Sequence, residues 1–285
     1  MQTSERISTT TFIAKLEQCW QDDTLVCIGL DSDYAQLPAS VKQGRSIEDE
    51  IFAFNREVID ATHDLVCAYK PNAAFYEAQG DNGLRALIQT VQYIHETYPH
   101  IPVILDAKRA DIGSTNVGYV AAAFDIIGAD AITVHPYLGR EALVPFLARK
   151  EKGILVLAKT SNPGASEFQD LPVGNEGEPL YQMVARHVAQ EWNTNGNCAV
   201  VVGATYPEDL SRVRAIIGDM PILIPGIGAQ GGEVAAIVNA GKDSRGWGMI
   251  ISASRSIIFA SKERDFAQAA RHATEQMRME INTYR

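Results

Sequence analysis

Cysteine is scarce in this chain of 285 residues, which holds only four. Cys19, Cys27, Cys67 and Cys198 are widely spaced and form no C-x-x-C pair, which argues against a disulfide scaffold and against a paired-cysteine metal or redox motif. Three of them, Cys27, Cys67 and Cys198, fall within apolar runs, where they are predicted to be small core residues. We therefore expect a reduced protein that works in the cytoplasm.

Basic residues are also few. Lys and Arg total 25 against 35 for Asp and Glu, so the formal net charge is -10 at pH 7. Such a balance argues against a broad surface for nucleic acid or for an anionic membrane. An anionic ligand would have to be held by a few focused cations and backbone amides rather than by the general field of the protein.

Long apolar runs and metal-ligand patterns are missing too. No run approaches the roughly 18 residues that a membrane-spanning helix needs. Met1 to Thr11 is polar, so we expect no secretory signal there. The six histidines show no metal-ligand spacing. We therefore predict no metal, and we expect His135 to be a packed or hydrogen-bonded residue rather than a general base.

What the sequence does contain is a series of short apolar runs rich in β-branched residues. Their number predicts eight strands, and their continuous rather than alternating character is typical of a parallel sheet buried on both faces. The runs are 25–30, 65–69, 102–105, 131–134, 154–158, 199–202, 222–224 and 249–251.

Helical patterns lie between these runs, with apolar residues at three- and four-residue spacings around 51–59, 84–94, 143–147 and 234–238. Strand and helix units in this number predict an α/β fold, a (β/α)8 TIM barrel. An open, doubly wound sheet is the alternative, because it shares the alternation. We expect one barrel domain over residues 1–285, with a short polar N-terminal extension and an N-terminal helix.

Polar or glycine-bearing segments follow nearly every predicted strand. Functional groups at so many strand ends favour the barrel, since its strands share one mouth. The segments are Gly29-Leu30-Asp31, Tyr69-Lys70-Pro71-Asn72, Asp106-Ala107-Lys108, Thr133-Val134-His135-Pro136, Lys159-Thr160-Ser161, Pro225-Gly226-Ile227-Gly228 and Ser252-Ala253-Ser254-Arg255.

The most informative segment runs from Leu105 to Gly113. Asp106 and Lys108 are two residues apart at a strand end, so both side chains should point to the same side of the sheet. Asp111 follows in the turn and could return toward the same pocket. Two carboxylates beside one ammonium keep the lysine charged and disfavour a further carboxylate. This would suit loss of a substrate carboxylate as carbon dioxide, but a simple strand-end salt bridge fits the spacing as well.

The pattern Asp106-x-Lys108-x-x-Asp111, followed by Ile112-Gly113 and Thr115, resembles the signature of the orotidine 5'-phosphate decarboxylase family in its longer-chain bacterial class. Ser32, Ala110 and Ser114 depart from residues that are common in that class. Further segments look like family segments in the family's order, namely GLD at 29–31, FNRE at 54–57, YKPNAAFYE at 69–77, KTSNPG at 159–164, PGIGAQGG at 225–232 and SRSI at 254–257.

The resemblance implies a TIM barrel that converts orotidine 5'-phosphate to uridine 5'-phosphate without a cofactor. Lys108 is implied as the proton donor to C6, and Asp106 as the neighbour of the departing carboxylate. Lys70 would complete an alternating row with Asp106, Lys108 and Asp111. The resemblance also implies a homodimer in which Asp111 and Thr115 act in the partner's active site.

The other implied contacts lie along the nucleotide. Asp31 would bind a ribose hydroxyl, although a turn or cap role is the simple alternative. Ser161 would bind the pyrimidine edge. The segment with Gly226, Gly228 and Gln230 and the pair Ser254-Arg255 follow the seventh and eighth strands, where this barrel commonly binds phosphate.

Two other functions stay open at this point. One is the metal-dependent aldol chemistry of 3-hexulose-6-phosphate synthase, which resembles the family at D-x-K-x-x-D. The other is a phosphate-binding or assembly protein without catalysis. The polar stretches 32–50 and 165–177 are long, and no role is assigned to them.

Overall fold

Eight parallel strands form the centre of the molecule in this computed structural model, which describes residues 10–175, 177–227 and 231–285. Each strand coincides with one of the predicted apolar runs. The strands are β1 (Val26–Ile28), β2 (Val66–Tyr69), β3 (Ile104–Arg109), β4 (Ala131–Val134), β5 (Gly153–Lys159), β6 (Cys198–Val202), β7 (Ile222–Pro225) and β8 (Met249–Ala253).

The strand order shows a barrel rather than an open sheet. The hydrogen-bonded ladders run from β2 through β1 and β8 and then back along the chain to β3. The two ends of this series, β2 and β3, are joined by parallel bridges between Tyr69 and Val103 and between Asn72 and Asp106. The predicted (β/α)8 TIM barrel is therefore confirmed.

Helices cover the outside of the barrel and alternate with the strands. The bounds are α1 (Phe12–Gln21), α2 (Ile47–Thr62), α3 (Ala73–Glu77), α4 (Gly80–Thr97), α5 (Gly113–Val120), α6 (Gly139–Leu147), α7 (Leu180–His187), α8 (Pro207–Ile217), α9 (Gly231–Gly241), α10 (Arg255–Ile258) and α11 (Phe266–Tyr284). The predicted N-terminal helix corresponds to α1, whereas residues 1–9 of the predicted polar extension lie outside the described part.

Local sequence explains how these helices begin and which face they bury. The side chain of Ser46 accepts a hydrogen bond from the backbone of Asp49, and the acidic first turn of α2 favourably meets the positive end of the helix dipole. In α4 the buried residues, among them Leu87, Val91 and Ile94, follow the predicted three- and four-residue spacing. Among the described residues, no helix combines the length and the apolar character that crossing a membrane requires.

The two long polar stretches are tied to the barrel. Buried Glu50 accepts hydrogen bonds from the Tyr34 hydroxyl and from the backbone of Gly44 and Arg45. In the second stretch, the Gln169 side chain donates to the Thr160 hydroxyl and accepts from the Thr160 backbone. The first stretch is therefore held together at the start of α2, and the second is anchored to Thr160, which directly follows β5.

Candidate active site

Two lysines and one aspartate meet at the mouth of the barrel. The Lys70 Nζ atom at the end of β2 lies 3.0 Å from Asp106 Oδ2, and Lys108 Nζ lies 2.6 Å from Asp106 Oδ1. Lys70 and Asp106 are buried, whereas about half of the Lys108 side chain is exposed, at 48%. The predicted juxtaposition of Lys70, Asp106 and Lys108 is thus present, with Lys108 as the member that faces the opening.

The charges in this row stabilise one another. Burial alone would raise the pKa of Asp106, but the ammonium groups of Lys70 and Lys108 outweigh it and lower the pKa to about 2. Burial alone would lower the pKa of Lys70, but the carboxylates of Asp106 and Asp31 outweigh it and raise the pKa. Asp106 and Lys70 are therefore both ionised at neutral pH.

A pocket of about 350 Å³ opens beside Asp106 and Lys108, and Ser161 lines it. Close packing at Gly203 positions the Ser161 loop, since a Cβ atom at Gly203 would lie 2.7 Å from the Ser161 Cβ atom. Gly226 borders the same loop with a φ of 91°, a left-handed conformation that favours glycine. The structure therefore places Ser161 at the pocket and Gly226 beside it.

Asp31 lies at the end of β1, close enough to Lys70 for its charge to act on that lysine. Its Oδ1 atom is buried and, within the described part of the chain, has no hydrogen-bond partner. Beneath it, the Tyr76 hydroxyl donates to the Leu30 carbonyl at 2.9 Å, and Asn55 donates to Tyr76 at 3.0 Å. A buried polar network thus supports the loop that carries an unsatisfied acceptor.

The predicted phosphate-binding residues are only partly described. The Ser254 hydroxyl donates to the Gly29 carbonyl at 3.0 Å and so ties β8 to the β1 loop. Arg255 begins α10 and is exposed at the mouth. Gly228 and Gln230 lie outside the described residues.

Asp111 does not join the row within its own chain. Asp111 Oδ1 accepts a hydrogen bond from the Ile112 backbone, and the Asp111 backbone donates to Asn116 Oδ1. Thr115, in the first turn of α5, is exposed. In the described residues of this single chain, Asp111 has no hydrogen bond or ion pair with Asp106, Lys70 or Lys108.

The residues that were predicted to be structural occupy structural positions. His135 Nδ1 accepts a hydrogen bond from the Tyr137 backbone at the barrel rim, at 3.4 Å. All four cysteines are free and buried. Burial raises the pKa of the Cys27 thiol to about 12, which leaves it uncharged in the barrel core.

Sequence reasoning missed two groups that shape the site. Asn55 is fully buried in α2 among mainly apolar side chains, and its amide between Phe54 and the apolar pair Val58-Ile59 was the available signal. Thr133 contacts Asp106 from β4, with its Oγ1 atom 2.9 Å from Asp106 Oδ1. No sequence signal identified that contact, because it depends on the register between two strands.

A TIM barrel with a Lys70-Asp106-Lys108 row at the carboxyl ends of its strands defines an enzyme of the barrel class, since such barrels carry their active sites at this end. Residues 24–271 match the model of the Orotidine 5'-phosphate decarboxylase / HUMPS family. The chain belongs to this family, as the motifs indicated, and it is a decarboxylase, a carbon–carbon lyase.

Individual relatives agree with this assignment. The chain is 51% identical over 276 residues to an orotidine 5'-phosphate decarboxylase of Cellvibrio japonicus, which covers 96% of this chain and 99% of that protein. An orotidine 5'-phosphate decarboxylase of Cupriavidus metallidurans matches with the same identity and coverage. The structure of the Leishmania donovani OMP decarboxylase superimposes with a TM-score of 0.80 at 36% identity, covering 95% of this chain and 99% of that one.

Proposed function

We propose that this protein decarboxylates orotidine 5'-phosphate to uridine 5'-phosphate and carbon dioxide in pyrimidine biosynthesis, without a metal or organic cofactor. The observation that carries the proposal is the row Lys70-Asp106-Lys108, in which a buried carboxylate is held ionised between two ammonium groups. It is an enzyme of the cytoplasm, in keeping with its four free thiols.

Asp106 and Lys108 act on the two ends of the bond between C6 and the substrate carboxylate. The Asp106 carboxylate repels a substrate carboxylate placed beside it, which raises the energy of the bound substrate. The C6–carboxylate bond then breaks, carbon dioxide leaves, and the electron pair stays on C6. The pair lies in the plane of the ring, so the π system does not delocalise it. The Lys108 ammonium stabilises it electrostatically and then transfers a proton to C6, and water returns a proton to the amine.

The remaining site residues bind the rest of the nucleotide. Asp31 Oδ1, a buried acceptor without a partner in the described residues, accepts a hydrogen bond from a ribose hydroxyl. Ser161 binds the pyrimidine edge from across the pocket. Arg255 and the Gly226 segment, with Gly228 and Gln230, bind the phosphate, whose binding energy positions the base against the row.

The enzyme is a homodimer in which Asp111 and Thr115 complete the active site of the partner. An exposed apolar face around these residues supports this arrangement, since exposed apolar patches mark interfaces. Ile112 and Val117 on the α5 side are 59% and 60% exposed, and Tyr137, in the loop before α6, is 85% exposed.

The central test replaces the proton donor. Lys108→Ala should lower kcat by at least about 10⁴-fold, because both the proton and the neighbouring charge are lost. The assay follows the absorbance of orotidine 5'-phosphate with and without a chelator, and thermal unfolding checks the fold. Lys150→Ala is the matched control, because Lys150 is an exposed lysine before β5 at the opposite end of the barrel.

Each alternative gives a different result. Turnover that the chelator abolishes would support metal-dependent chemistry, and tight uridine 5'-phosphate binding without carbon dioxide release would support a binding protein. Mixing inactive Lys108→Ala and Asp111→Asn chains tests the shared site. About a quarter of the wild-type activity should return, because half of the dimers are mixed and each has one intact site. No return of activity would contradict the shared site.

A further inference from the structure

Thr133 is a buried hydroxyl in the middle of the reacting charges. It lies in β4, is 1% exposed, and its side chain reaches the residues at the end of β3. Thr133 Oγ1 lies 2.9 Å from Asp106 Oδ1, 3.1 Å from the Ala107 nitrogen and 3.0 Å from the Lys108 nitrogen. One side-chain atom therefore contacts three successive residues of the catalytic segment.

The direction of these three hydrogen bonds is fixed by chemistry. The backbone N–H groups of Ala107 and Lys108 are donors only, so the Thr133 oxygen accepts from both. A hydroxyl has one proton, and the carboxylate of Asp106 has none to give, since its pKa is about 2. The Thr133 proton therefore goes to Asp106 Oδ1, which is the same oxygen that Lys108 contacts.

The two accepted hydrogen bonds compensate for a break in the sheet. The β3–β4 ladder pairs Leu105 with Ile132 and then Arg109 with Val134, so residues 106–108 bulge out opposite Thr133. The amides of Ala107 and Lys108 have no partner in the β3–β4 ladder, and part-buried amides need acceptors. The Thr133 oxygen supplies the acceptor for both Ala107 and Lys108.

The bulge also holds Lys108 in an unusual conformation. Its φ is 48°, in the left-handed region that residues with a Cβ atom rarely adopt. Such a conformation persists only where its surroundings hold it, and it is common at functional sites. Because the Lys108 amide is bound to Thr133, the hydroxyl fixes the backbone from which the Lys108 side chain extends toward Asp106.

We propose that Thr133 is a positioning residue of the decarboxylation site, which holds the 106–108 bend through its oxygen and orients the Asp106 carboxylate through its proton. This inference rests on the proposed roles of Asp106 and Lys108. Valine has nearly the same shape as threonine and lacks both functions of the hydroxyl, whereas serine keeps them. Substitution to these two residues therefore separates the hydroxyl from the volume of the side chain.

The experiment compares Thr133→Val, Thr133→Ser and Thr274→Val with the wild-type enzyme. Thr274 is the matched control, because it is also buried but its hydroxyl donates only to the carbonyl of Ala270 in its own helix. Thr133→Val should lower kcat by about 100-fold while KM and the Kd of uridine 5'-phosphate change by less than about threefold. Thr133→Ser should recover kcat to within about fivefold of wild type, and Thr274→Val should leave kcat unchanged.

Two outcomes would overturn the proposal. One is a Thr133→Val enzyme with near-normal kcat, and the other is a folded Thr133→Ser enzyme as impaired as a folded Thr133→Val enzyme. If Thr133→Val does not fold, the kcat of Thr133→Ser is the test: a value within about fivefold of wild type supports the proposal, and a much lower value in a folded enzyme overturns it. A crystal structure of a folded variant is a readout independent of turnover: Lys108 should leave the left-handed region in Thr133→Val and keep it in Thr133→Ser. If the wild-type protein has no decarboxylase activity, the proposed function is wrong. The conformation of Lys108 in the variant crystal structures would still test whether Thr133 holds the bend.

Discussion

The two ends of the barrel both bury charged side chains, but they satisfy them to different degrees. At the amino ends of the strands, the floor, Asp130 accepts from Lys15, His95 and the backbone of Val103. At the carboxyl ends, the mouth, Asp31 keeps a buried oxygen without a partner in the described residues, and Lys108 holds a left-handed backbone. The Asp130 carboxylate at the floor thus has three donors, whereas the Asp31 carboxylate at the mouth keeps bonding capacity, and Lys108 beside it has a strained backbone.

The floor arginine shows what a saturated charge does for the fold. The guanidinium of Arg214 donates to the carbonyls of Gly218, Met220, Gly241 and Gly248. These carbonyls lie directly after α8, at the last residue of α9, and before β7 and β8. At the mouth, by contrast, Lys70, Asp106 and Lys108 bind one another, and two of them line a pocket. We propose that the floor charges serve stability alone, whereas the mouth charges also serve a ligand.

The largest expected effect on folding tests this proposal at the floor. Arg214→Met should lower the free energy of unfolding by about 3 kcal/mol, because several buried carbonyls lose a charged donor. The kcat of the folded enzyme should stay near wild type. Urea denaturation and the decarboxylase assay measure the two quantities.

Arg212→Met is the control for this prediction. Arg212 lies on the same helix, but it is exposed and forms surface ion pairs with Glu208 and Asp209. Its replacement should change the free energy of unfolding by less than about 1 kcal/mol. A large drop in kcat for a folded Arg214→Met enzyme would contradict the view that floor charges serve stability and not catalysis.

Stability at low pH compares two aspartates, one at each end of the barrel, whose pKa values are both lowered to about 2. Burial alone would raise the pKa of Asp130, but the hydrogen bond and charge of His95 and the charge of Lys15 outweigh it and lower the pKa to about 2, as found for Asp106. Because both folded-state values lie below the ordinary 3.8, the stabilisation is complete above pH 4 and is lost between about pH 4 and 2.

Asp106→Asn and Asp130→Asn should therefore each flatten the pH dependence of stability between pH 4 and 2, by about 2 kcal/mol per site. Only Asp106→Asn should abolish turnover at pH 7. Urea titrations at pH 6 and pH 3, with assays at pH 7, distinguish the two variants. Loss of turnover in a folded Asp130→Asn enzyme would contradict the view that only the mouth charges take part in catalysis.

The sequence predicted much of the barrel, because continuous apolar runs identify strands that are buried on both faces. It also predicted that Asp106 and Lys108 meet, but from a regular two-residue alternation. The structure reaches that contact through a bulge and a left-handed Lys108 instead. Alternation describes a regular strand, and it contains no information on where a ladder is interrupted.

Contacts that depend on register or on distant loops could not be predicted in this way. The role of Thr133 follows from which residues of β3 lie opposite it, and that pairing is set by packing of the whole barrel. The carbonyls bound by Arg214 lie at the end of α9 and in separate loops that only the folded barrel brings together. Composition and spacing therefore identify reactive residues more readily than the residues that hold them.

The smallest expected effect concerns the unsatisfied acceptor at the mouth. Asp31→Asn changes a carboxylate whose Oδ1 atom has no hydrogen-bond partner among the described residues, but it also removes a charge that favours the ionised form of Lys70, so the free energy of unfolding should fall by no more than about 1 kcal/mol. The same change weakens an acceptor that the ribose hydroxyl uses, so kcat/KM should fall about tenfold. Asp33→Asn is the control, because Asp33 lies in the same loop and its carboxylate already accepts from Ala35 and Gln36. If Asp31→Asn lowers the free energy of unfolding as much as Arg214→Met does, then Asp31 is a structural charge. Its free acceptor would then not be kept for the substrate.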